Sequence, residues 1–485
     1  MTANFASGVL LPGFIGTTLP GWVEARLRDG LAGVCLFGDN IESLPQLQQL
    51  TAAILEANPR AVIAMDEEGG DVTRLFSDVG SPYPGNAILG RIDDLAYTEE
   101  VAADVGHQLR QAGCTMTFGP DVDINSNPDN PVIGVRSFGA DPELVARHSV
   151  AWVRGVQSAG IAVSAKHFPG HGDTAQDSHL ALPVVDVPLD TLTDRELVPF
   201  RAVIEADAAS IMTSHILLPQ LDPEAPATLS PRILQELLRG GLGYQGVIVT
   251  DALDMAGASA ITGIPEAAVR AIAAGCDLLC IGTDNSDEQL AEIEQAISSA
   301  IAEGRLDAAR LADAAERTHS LAVDYAIRRA ASAPPGVPTP RFDLTRTADS
   351  FEVTSSVSVA ADRHQVVLEM ETNLAVGIAP WVTWADQRIS AGTPLGAIPP
   401  GRQLVLIGRD NHRHQWVREL IDEARREHPA VIVVDMGWPG DDRAYTDIAT
   451  FGASAHVAEA LLAWFERAAG LTTGSTMGTS EDGTE

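Results

Sequence analysis

Residues 166–179, KHFPGHGDTAQDSH, concentrate side chains that could do chemistry. The lysine, three histidines and two aspartates can donate, accept or transfer protons, and the glycines and proline are typical of a loop. The apolar run at 160–165 directly before it predicts a buried strand, at whose C-terminal end Lys166 and His167 would lie. We therefore interpret this stretch as an active-site loop.

Lys166 is the only lysine among the 485 residues, since every other strongly basic side chain is an arginine. Lysine carries a compact ammonium group with three donors, whereas arginine presents a wide planar fork. A crowded site that recognises hydroxyl groups would accept the ammonium more readily than the fork. We therefore predict a functional role for Lys166; the alternative is an incidental surface lysine.

The charge and composition of the chain exclude some classes of partner. The formal net charge is -34, and nucleic acids and anionic membranes are bound by basic surfaces, so neither is an expected partner. An acidic, solvated coat is the simplest interpretation. The four cysteines, Cys35, Cys114, Cys276 and Cys280, lie in apolar runs without the Cys/His spacing of a zinc site, which predicts buried, reduced thiols.

The sequence shows neither an N-terminal signal segment nor an apolar run of about eighteen residues. Together with the reduced cysteines, these observations predict a soluble, cytoplasmic protein. We expect no cofactor and no bound metal. The sequence leaves the oligomeric state open.

Short apolar runs alternate with segments of helical periodicity, which is typical of α/β folds with parallel strands. The eight predicted strands are residues 8–12, 32–37, 61–66, 114–119, 161–167, 208–214, 246–251 and 276–282. Eight strands with their crossovers predict a (β/α)8 barrel of the TIM type. An open doubly wound sheet is the alternative, but no GxGxxG or phosphate-binding loop follows a strand.

Polar residues that could act on a substrate follow several of these strands. They are Asp66, Asp121, Asp123, Lys166, His167, His215 and Asp251. In a barrel of this type the active site lies at the C-terminal ends of the strands, so these side chains should meet there. For each aspartate taken alone, a helix-capping role is the alternative.

Five motifs, KHFPGHGDTAQDSH, DEEGG, IGVRSFGAD, ATLSP and GVIVTDALDMAG, resemble the bacterial β-N-acetylglucosaminidase branch of glycoside hydrolase family 3. The resemblance covers residues 8–330. It implies that Asp251 is the covalent nucleophile and that Asp177 and His179 form the acid/base pair. It also implies substrate-binding roles for a second set, Asp66, Arg74, Arg136, Lys166 and His167. Asp71 departs from the pattern, because many members have a basic residue there, and the difference concerns an outer subsite.

A histidine suits the role of proton donor in such an enzyme. A retaining glycosidase needs a carboxylate nucleophile and a separate group that protonates the leaving oxygen. The ordinary pKa of histidine, about 6.5, lets His179 give and take a proton near neutral pH. In an extended loop Asp177 points to the same side as His179 and could hold its imidazole by one nitrogen.

The resemblance implies a retaining exo-β-N-acetylglucosaminidase, a β-N-acetylhexosaminidase that releases terminal N-acetylglucosamine from cell-wall glycosides such as muropeptides in peptidoglycan recycling. Inorganic phosphate could replace water as the acceptor, and activity as a phosphorylase or on β-glucosides stays open. Residues available to a metal-dependent barrel hydrolase are His167, His171, Asp173, His179, His215 and Asp251, although no HxH pair follows the first strand. A non-catalytic sugar-binding module would not need Asp251 together with the Asp177/His179 pair.

The composition changes after the predicted barrel. Residues 1–330 form the predicted catalytic barrel domain, and the Pro-rich residues 331–349 form a predicted linker. From 350 to 471, three apolar runs and two helical segments predict a smaller α/β domain of the sandwich type, which the resemblance also implies. Residues 472–485 are predicted to be a disordered tail.

Overall fold

The computed structural model of the protein describes residues 2–175, 182–332, 342–370 and 381–471. These residues divide into two compact units, the first ending at Phe342 and the second comprising 343–370 and 381–471. The predicted linker at 331–349 includes the helix Leu344–Asp349, which belongs to the second unit. The predicted tail lies outside the described residues.

The first unit is built on eight parallel strands that close into a barrel. The strands are β1 (Leu10–Pro12), β2 (Gly33–Cys35), β3 (Val62–Met65), β4 (Met116–Thr117), β5 (Ala162–Phe168), β6 (Ser210–Thr213), β7 (Val247–Val249) and β8 (Leu279–Gly282). Strands β2 to β7 form one continuous sheet in chain order, and β1 pairs with β8. The Thr250 N–H donates to the Leu278 carbonyl at 3.0 Å and the Ala32 N–H donates to the Ser7 carbonyl at 3.0 Å, which joins the β1 and β8 pair to both ends of the sheet. The predicted (β/α)8 barrel is confirmed.

Helices surround the barrel because amphipathic segments follow the strands. The longer ones are Gly21–Arg28, Leu44–Ala57, Asn86–Ile92, Leu95–Gln111, Pro142–Ser158, Leu197–Glu205, Ile264–Ala274, Asp287–Ala302 and Ala308–Ala331, with a π-helical segment at Arg232–Gly241. Short segments are Thr2–Ser7, Gly38–Asn40, Gly134–Arg136, Leu189–Thr191, Leu192–Glu196, Ala227–Leu229 and Ala256–Ser259. The helix residue Trp152 belongs to the large apolar cluster that also contains strand residues such as Ile63. Leu11, Phe118 and Met212 belong to a separate cluster inside the barrel. Among the described helices, none is both long and apolar enough to cross a membrane.

Strand β5 carries Lys166 and His167 within its last three residues, as predicted. The Lys166 N–H donates to the Pro120 carbonyl at 3.1 Å, and the Val122 N–H donates to the Lys166 carbonyl at 2.8 Å. These bonds continue the parallel pairing beyond the short strand β4, so Asp121 lies directly beside Lys166. The backbone thus brings two of the predicted polar positions together before any side chain is considered.

The second unit contains a six-stranded sheet in the order β11-β10-β12-β13-β14-β9. Its strands are β9 (Glu352–Val353), β10 (Arg363–Glu369), β11 (Gln387–Ser390), β12 (Gln403–Gly408), β13 (Val431–Asp435) and β14 (Ile448–Ala449), and its helices are Leu344–Asp349, Asn411–Arg413, Gln415–Glu427 and Ala455–Ala468. All neighbouring strands are parallel except β14 and β9. Val366 and Leu406 pack with the helix residue Ile421, whereas Val367 and Ile407 are buried on the opposite face. A second α/β domain is confirmed, with three short strands, β9, β11 and β14, that the sequence analysis missed.

Gly33 is expected to be essential for barrel stability, because a side chain there has no room. A Cβ atom at Gly33 in β2 would overlap the carbonyl oxygen of Val62 in β3. Gly33→Ala should therefore lower the free energy of unfolding by about 1–3 kcal/mol, the usual cost of overpacking. Gly38→Ala is the matched control, because no atom lies within 4 Å of its Cβ position. Thermal unfolding followed by circular dichroism compares the two, and equal melting temperatures would contradict the predicted crowding.

Candidate active site

A cavity of about 430 Å³ lies at the C-terminal ends of the barrel strands. One part of its lining is ionisable, with Asp66, Glu68, Arg74, Arg136, Lys166, His167, His171, Asp251 and Asp254. The other part is apolar or sulfur-containing, with Cys35, Phe37, Val72, Phe118, Val132, Met212, Met255 and Cys280, and Ala252 and Thr283 complete it. The volume lies within the range of about 300–1,000 Å³ that is usual for small-molecule sites. The six predicted site residues that lie in the described ranges therefore surround one cavity.

Lys166 is held between two carboxylates. Its Nζ atom lies 2.8 Å from Asp66 Oδ1 and 2.7 Å from Glu68 Oε1, and the residue is only 2% exposed. Burial alone would lower the pKa of Lys166, but the charges of Asp66 and Glu68 outweigh it and raise the pKa above its ordinary value. Lys166 is therefore a fixed cation, and its burial excludes the alternative of an incidental surface lysine.

Glu68 joins this lysine to Arg136. The Arg136 Nε and Nη2 atoms donate to Glu68 Oε2 at 3.0 Å and Oε1 at 2.8 Å, which is the bidentate geometry of strong arginine pairs. Burial raises the pKa of Glu68, but the charges of Arg136 and Lys166 lower it further, to about 2. Arg136 Nε also lies 3.5 Å from Asp121 Oδ2. The sequence analysis did not include Glu68 among the site residues, although its i+2 spacing from Asp66 in an extended stretch could have indicated it.

Asp66 is the member of this cluster that presents a charge to the cavity. Its Oδ2 atom lies 3.3 Å from Arg74 Nη2, and its side chain is 20% exposed, compared with 3% for Glu68. Burial opposes ionisation, but the charges of Lys166 and Arg74 hold the pKa of Asp66 well below its ordinary range. Asp66 is therefore a permanent hydrogen-bond acceptor, with cationic donors on both sides.

His167 is oriented by Asp123. The His167 Nδ1 atom lies 2.7 Å from Asp123 Oδ2, and the Asp123 carboxylate also accepts the backbone N–H groups of His167 at 3.2 Å and His171 at 2.7 Å. Burial lowers the pKa of His167 to about 4, so its imidazole is neutral at physiological pH. With the proton on Nδ1 toward the carboxylate, Nε2 is left as an acceptor for a ligand hydroxyl.

Asp121, Asp123 and His167 form the one group of three potential metal-ligating side chains found in the described ranges, with ligand atoms within 4.8 Å of one another. The Asp123 lone pairs are already used by hydrogen bonds, and its own N–H donates to Asp121 Oδ1 at 2.9 Å. Burial and the charge of Asp123 raise the pKa of Asp121 well above its ordinary range, so this pair of carboxyl groups retains a proton. Asp173, also considered as a ligand, pairs with Arg195 at 2.5 Å. The arrangement positions a loop rather than a cation.

Asp251 faces the cavity from the C-terminal end of β7. Its Oδ1 atom accepts the N–H of Ala252 at 2.8 Å, and the carbonyl of Ala252 lies 2.9 Å from His215 Nε2. His215 thus supports the backbone next to Asp251 and does not line the cavity. Asp177 and His179, the predicted acid/base pair, lie outside the described residues, so their roles stay predictions.

Glu68→Gln should destabilise the protein strongly, because it leaves two buried cations with one compensating charge fewer. Breaking a buried ion pair costs about 3–5 kcal/mol, whereas Glu303→Gln, which breaks an exposed pair with Arg305, should cost less than about 1 kcal/mol. The stability that ionised Glu68 contributes is present above the ordinary glutamate pKa of about 4.3 and is lost as the pH falls toward 2. Urea unfolding at pH 7 and pH 3 should therefore show a smaller difference between wild type and Glu68→Gln at pH 3. An equal difference at both pH values would contradict the charge-based account.

Comparisons with known proteins identify the family of the chain. The family described as "Glycosyl hydrolase family 3 N terminal domain" matches residues 23–321. Beta-hexosaminidase A of Pseudoalteromonas piscicida is 39% identical over 285 residues, which are 54% of this chain and 48% of that protein, so the chain spans about half its length. Beta-hexosaminidase of Stenotrophomonas maltophilia (strain K279a) is 38% identical over 281 residues, covering 56% of this chain and 83% of the relative.

Solved structures resemble the chain over one or both units. A glycoside hydrolase family 3 beta-N-acetylglucosaminidase from Paenibacillus sp. str. FPU-7 has a TM-score of 0.83 at 30% identity, covering 97% of both chains. NagZ from Neisseria gonorrhoeae has a TM-score of 0.53 at 30% identity, covering 65% of this chain and 98% of its own. The first comparison extends beyond the barrel, and the second is limited to about two thirds of the chain.

Proposed function

This chain belongs to glycosyl hydrolase family 3, and from that premise we propose that it is a retaining exo-β-N-acetylglucosaminidase. The proposed substrates are cell-wall glycosides such as muropeptides, from which terminal N-acetylglucosamine is released in peptidoglycan recycling. The relatives named beta-hexosaminidase and the similar β-N-acetylglucosaminidase structure support N-acetylglucosamine as the proposed sugar. The observation that carries the proposal is the cavity itself, where Asp251 faces a set of groups with fixed charge.

The charged side of the cavity supports recognition of sugar hydroxyls. Ionised Asp66 accepts hydrogen bonds, Lys166 and Arg74 donate them, and neutral His167 offers a second acceptor at Nε2. Arg136 lines the cavity and donates through Nε and Nη2 to Glu68, so its proposed contribution to binding includes holding Glu68 beside Lys166. These side chains are already held by their ion pairs before a ligand binds. Binding therefore does not have to order them, which favours a rigid polar ligand.

The apolar side of the cavity supports binding of the less polar faces of the sugar. Val72, Val132 and Met255 provide surface for ring C–H groups and for the methyl of an acetamido group. Phe118 and Met212 also line the cavity and pack in the barrel interior. The apolar core of the barrel therefore closes the base of the cavity. A closed base is consistent with exo action, because only a terminal sugar unit can enter.

The proposed reaction proceeds by double displacement. An Asp251 carboxylate oxygen attacks the anomeric carbon and forms a glycosyl ester, while His179 protonates the departing glycosidic oxygen. A water or phosphate oxygen then attacks the same carbon, its proton passes to His179, and Asp251 is released. Asp177 is proposed to orient the imidazole, as the family resemblance implies.

A cytoplasmic location is part of the proposal. All four cysteines are free and buried, which is the usual state in a reducing compartment. In this family β-glucosides are the alternative substrates. The apolar lining formed by Val72, Val132 and Met255, proposed above to contact the acetamido methyl, favours N-acetylglucosaminides. Comparing kcat/KM for aryl β-N-acetylglucosaminides and aryl β-glucosides distinguishes the two.

Asp251→Ala should lower turnover of an aryl β-N-acetylglucosaminide on the order of 10⁴-fold or more, because the covalent path is lost. Asp254→Asn is the matched control, since Asp254 lines the same cavity three residues later and has no proposed chemical role. A fluorosugar that traps glycosyl-enzymes should label Asp251, as identified by peptide mass spectrometry. Labelling of Asp254 or of another carboxylate would overturn the assignment.

Inorganic phosphate should accelerate breakdown of the glycosyl-enzyme, because a neutral imidazole at the catalytic position would not repel an anion as an ionised carboxylate would. N-acetylglucosamine 1-phosphate should then be found among the products by mass spectrometry. His179→Gln should slow substrates with poor leaving groups most, and Asp177→Asn should do so more mildly. Turnover that is independent of millimolar phosphate would identify a plain hydrolase. If His179→Gln keeps full activity on substrates with poor leaving groups, the proton donor is another residue.

A further inference from the structure

The two adjacent glutamates of the DEEGG motif bind different partners. Glu68 pairs with Lys166 and Arg136 beside the cavity. Glu67 does not line the cavity, is 0% exposed, and takes no part in the proposed reaction. Burial of a carboxylate is costly unless hydrogen bonds replace the lost water, so the partners of Glu67 indicate its role.

One oxygen atom of Glu67 accepts three hydrogen bonds. Its Oε2 atom accepts the Thr73 hydroxyl at 2.8 Å, the Arg74 N–H at 3.0 Å and the Leu75 N–H at 3.0 Å. The Thr73 hydroxyl oxygen in turn accepts the N–H of Phe76 at 3.2 Å. Burial raises the pKa of Glu67 to about 7, and the three bonds oppose this rise because they favour the ionised form. The carboxylate is thus the common anchor of four consecutive residues.

The backbone of Glu67 is fixed to the barrel at the same time. Its N–H donates to the Thr117 hydroxyl at 3.3 Å, and that hydroxyl donates to the Glu67 carbonyl at 3.0 Å. Thr117 belongs to β4, whereas Glu67 follows the end of β3. Glu67 therefore connects two neighbouring strands to the segment 73–76.

The anchored segment carries a side chain of the cavity. Arg74 lines the cavity, and its Nη2 atom lies 3.3 Å from Asp66 Oδ2. Val72, which directly precedes the segment, also lines the cavity. A displacement of about 1 Å is enough to weaken a contact between a binding group and its ligand strongly. The position of the Arg74 backbone therefore matters for any hydroxyl that its guanidinium meets.

We propose that Glu67 is a positioning residue, which fixes residues 73–75 through its Oε2 atom and thereby directs Arg74 into the cavity. The inference rests on the proposed function only in naming the sugar that Arg74 would bind. A binding group contacts the sugar both before and during the reaction. Loss of its positioning should therefore raise KM and leave kcat nearly unchanged.

Kinetics with an aryl β-N-acetylglucosaminide test this role. Glu67→Ala should raise KM about tenfold and keep kcat within about twofold of wild type. Glu67→Gln should raise KM less, because the amide oxygen can still accept the same donors. Thr73→Val removes one of the three donors, so it should also raise KM less, and it replaces Glu67→Ala in the test if that variant does not fold.

Asp222→Ala is the matched control. Asp222 is 7% exposed and accepts the Glu224 N–H at 3.0 Å and the Ser230 hydroxyl at 2.6 Å, so it anchors a loop in the same manner as Glu67. None of the described residues 214–230 lines the cavity. Asp222→Ala should therefore lower the melting temperature without changing KM.

A double-mutant cycle shows whether Glu67 acts through Arg74. Arg74→Met should raise KM by itself, and adding Glu67→Ala should then raise it by less than about twofold, because the side chain that Glu67 positions is gone. Increases in KM that multiply would overturn the proposal. So would an unchanged KM in Glu67→Ala together with a lower melting temperature, since Glu67 would then support only the fold.

Amide hydrogen exchange followed by mass spectrometry tests the anchoring without a ligand. Glu67→Ala should speed exchange of residues 73–76 about tenfold, whereas Asp222→Ala should leave it unchanged. Equal exchange in Glu67→Ala and wild type would overturn the inference even if the enzyme is active. Wild type that neither binds nor releases N-acetylglucosamine, but whose exchange at 73–76 depends on Glu67, would support the anchoring and overturn the proposed function alone.

Discussion

The ion cluster centred on Lys166 is the interaction on which the rest of the site depends. Taking an ammonium group out of water is expensive, and only good geometry with several partners repays the cost. Asp66 and Glu68 supply that geometry at 2.8 and 2.7 Å, and Arg136 neutralises the second carboxylate. These residues come from the ends of β3 and β5 and from the long connection after β4. The barrel is what brings them together, and their pairing in turn fixes the connections that shape the cavity.

The same cluster, together with burial, gives three groups of the cavity one defined protonation state at neutral pH. Asp66 and Glu68 are held ionised by cations, while burial keeps His167 neutral. A sugar has no charge, so it is recognised by fixed donors and acceptors rather than by a change of ionisation. A site of this kind suits a neutral polyol, and the proposed chemistry requires titration only at His179.

Much of the barrel could be predicted from the sequence because strands of a parallel barrel are buried on both faces and therefore appear as continuous apolar runs. The polar residues at strand ends were predictable for the same reason, since the apolar run ends where the cavity begins. Glu68 was not predicted, because its partner Arg136 is 68 residues away and only its i+2 spacing from Asp66 could have indicated it. The strands β9, β11 and β14 were missed because each has only two to four residues. Asp177 and His179 stay predictions.

The measurement that tests the account most directly is the anomeric configuration of the first-formed sugar, followed by proton NMR during hydrolysis of an aryl β-N-acetylglucosaminide. Two displacements at one carbon, first by Asp251 and then by water, should release the β-anomer of N-acetylglucosamine, with the α-anomer appearing only by slow mutarotation. Initial release of the α-anomer would show a single displacement and contradict a covalent intermediate on Asp251. Absence of any released N-acetylglucosamine would contradict the proposed function itself.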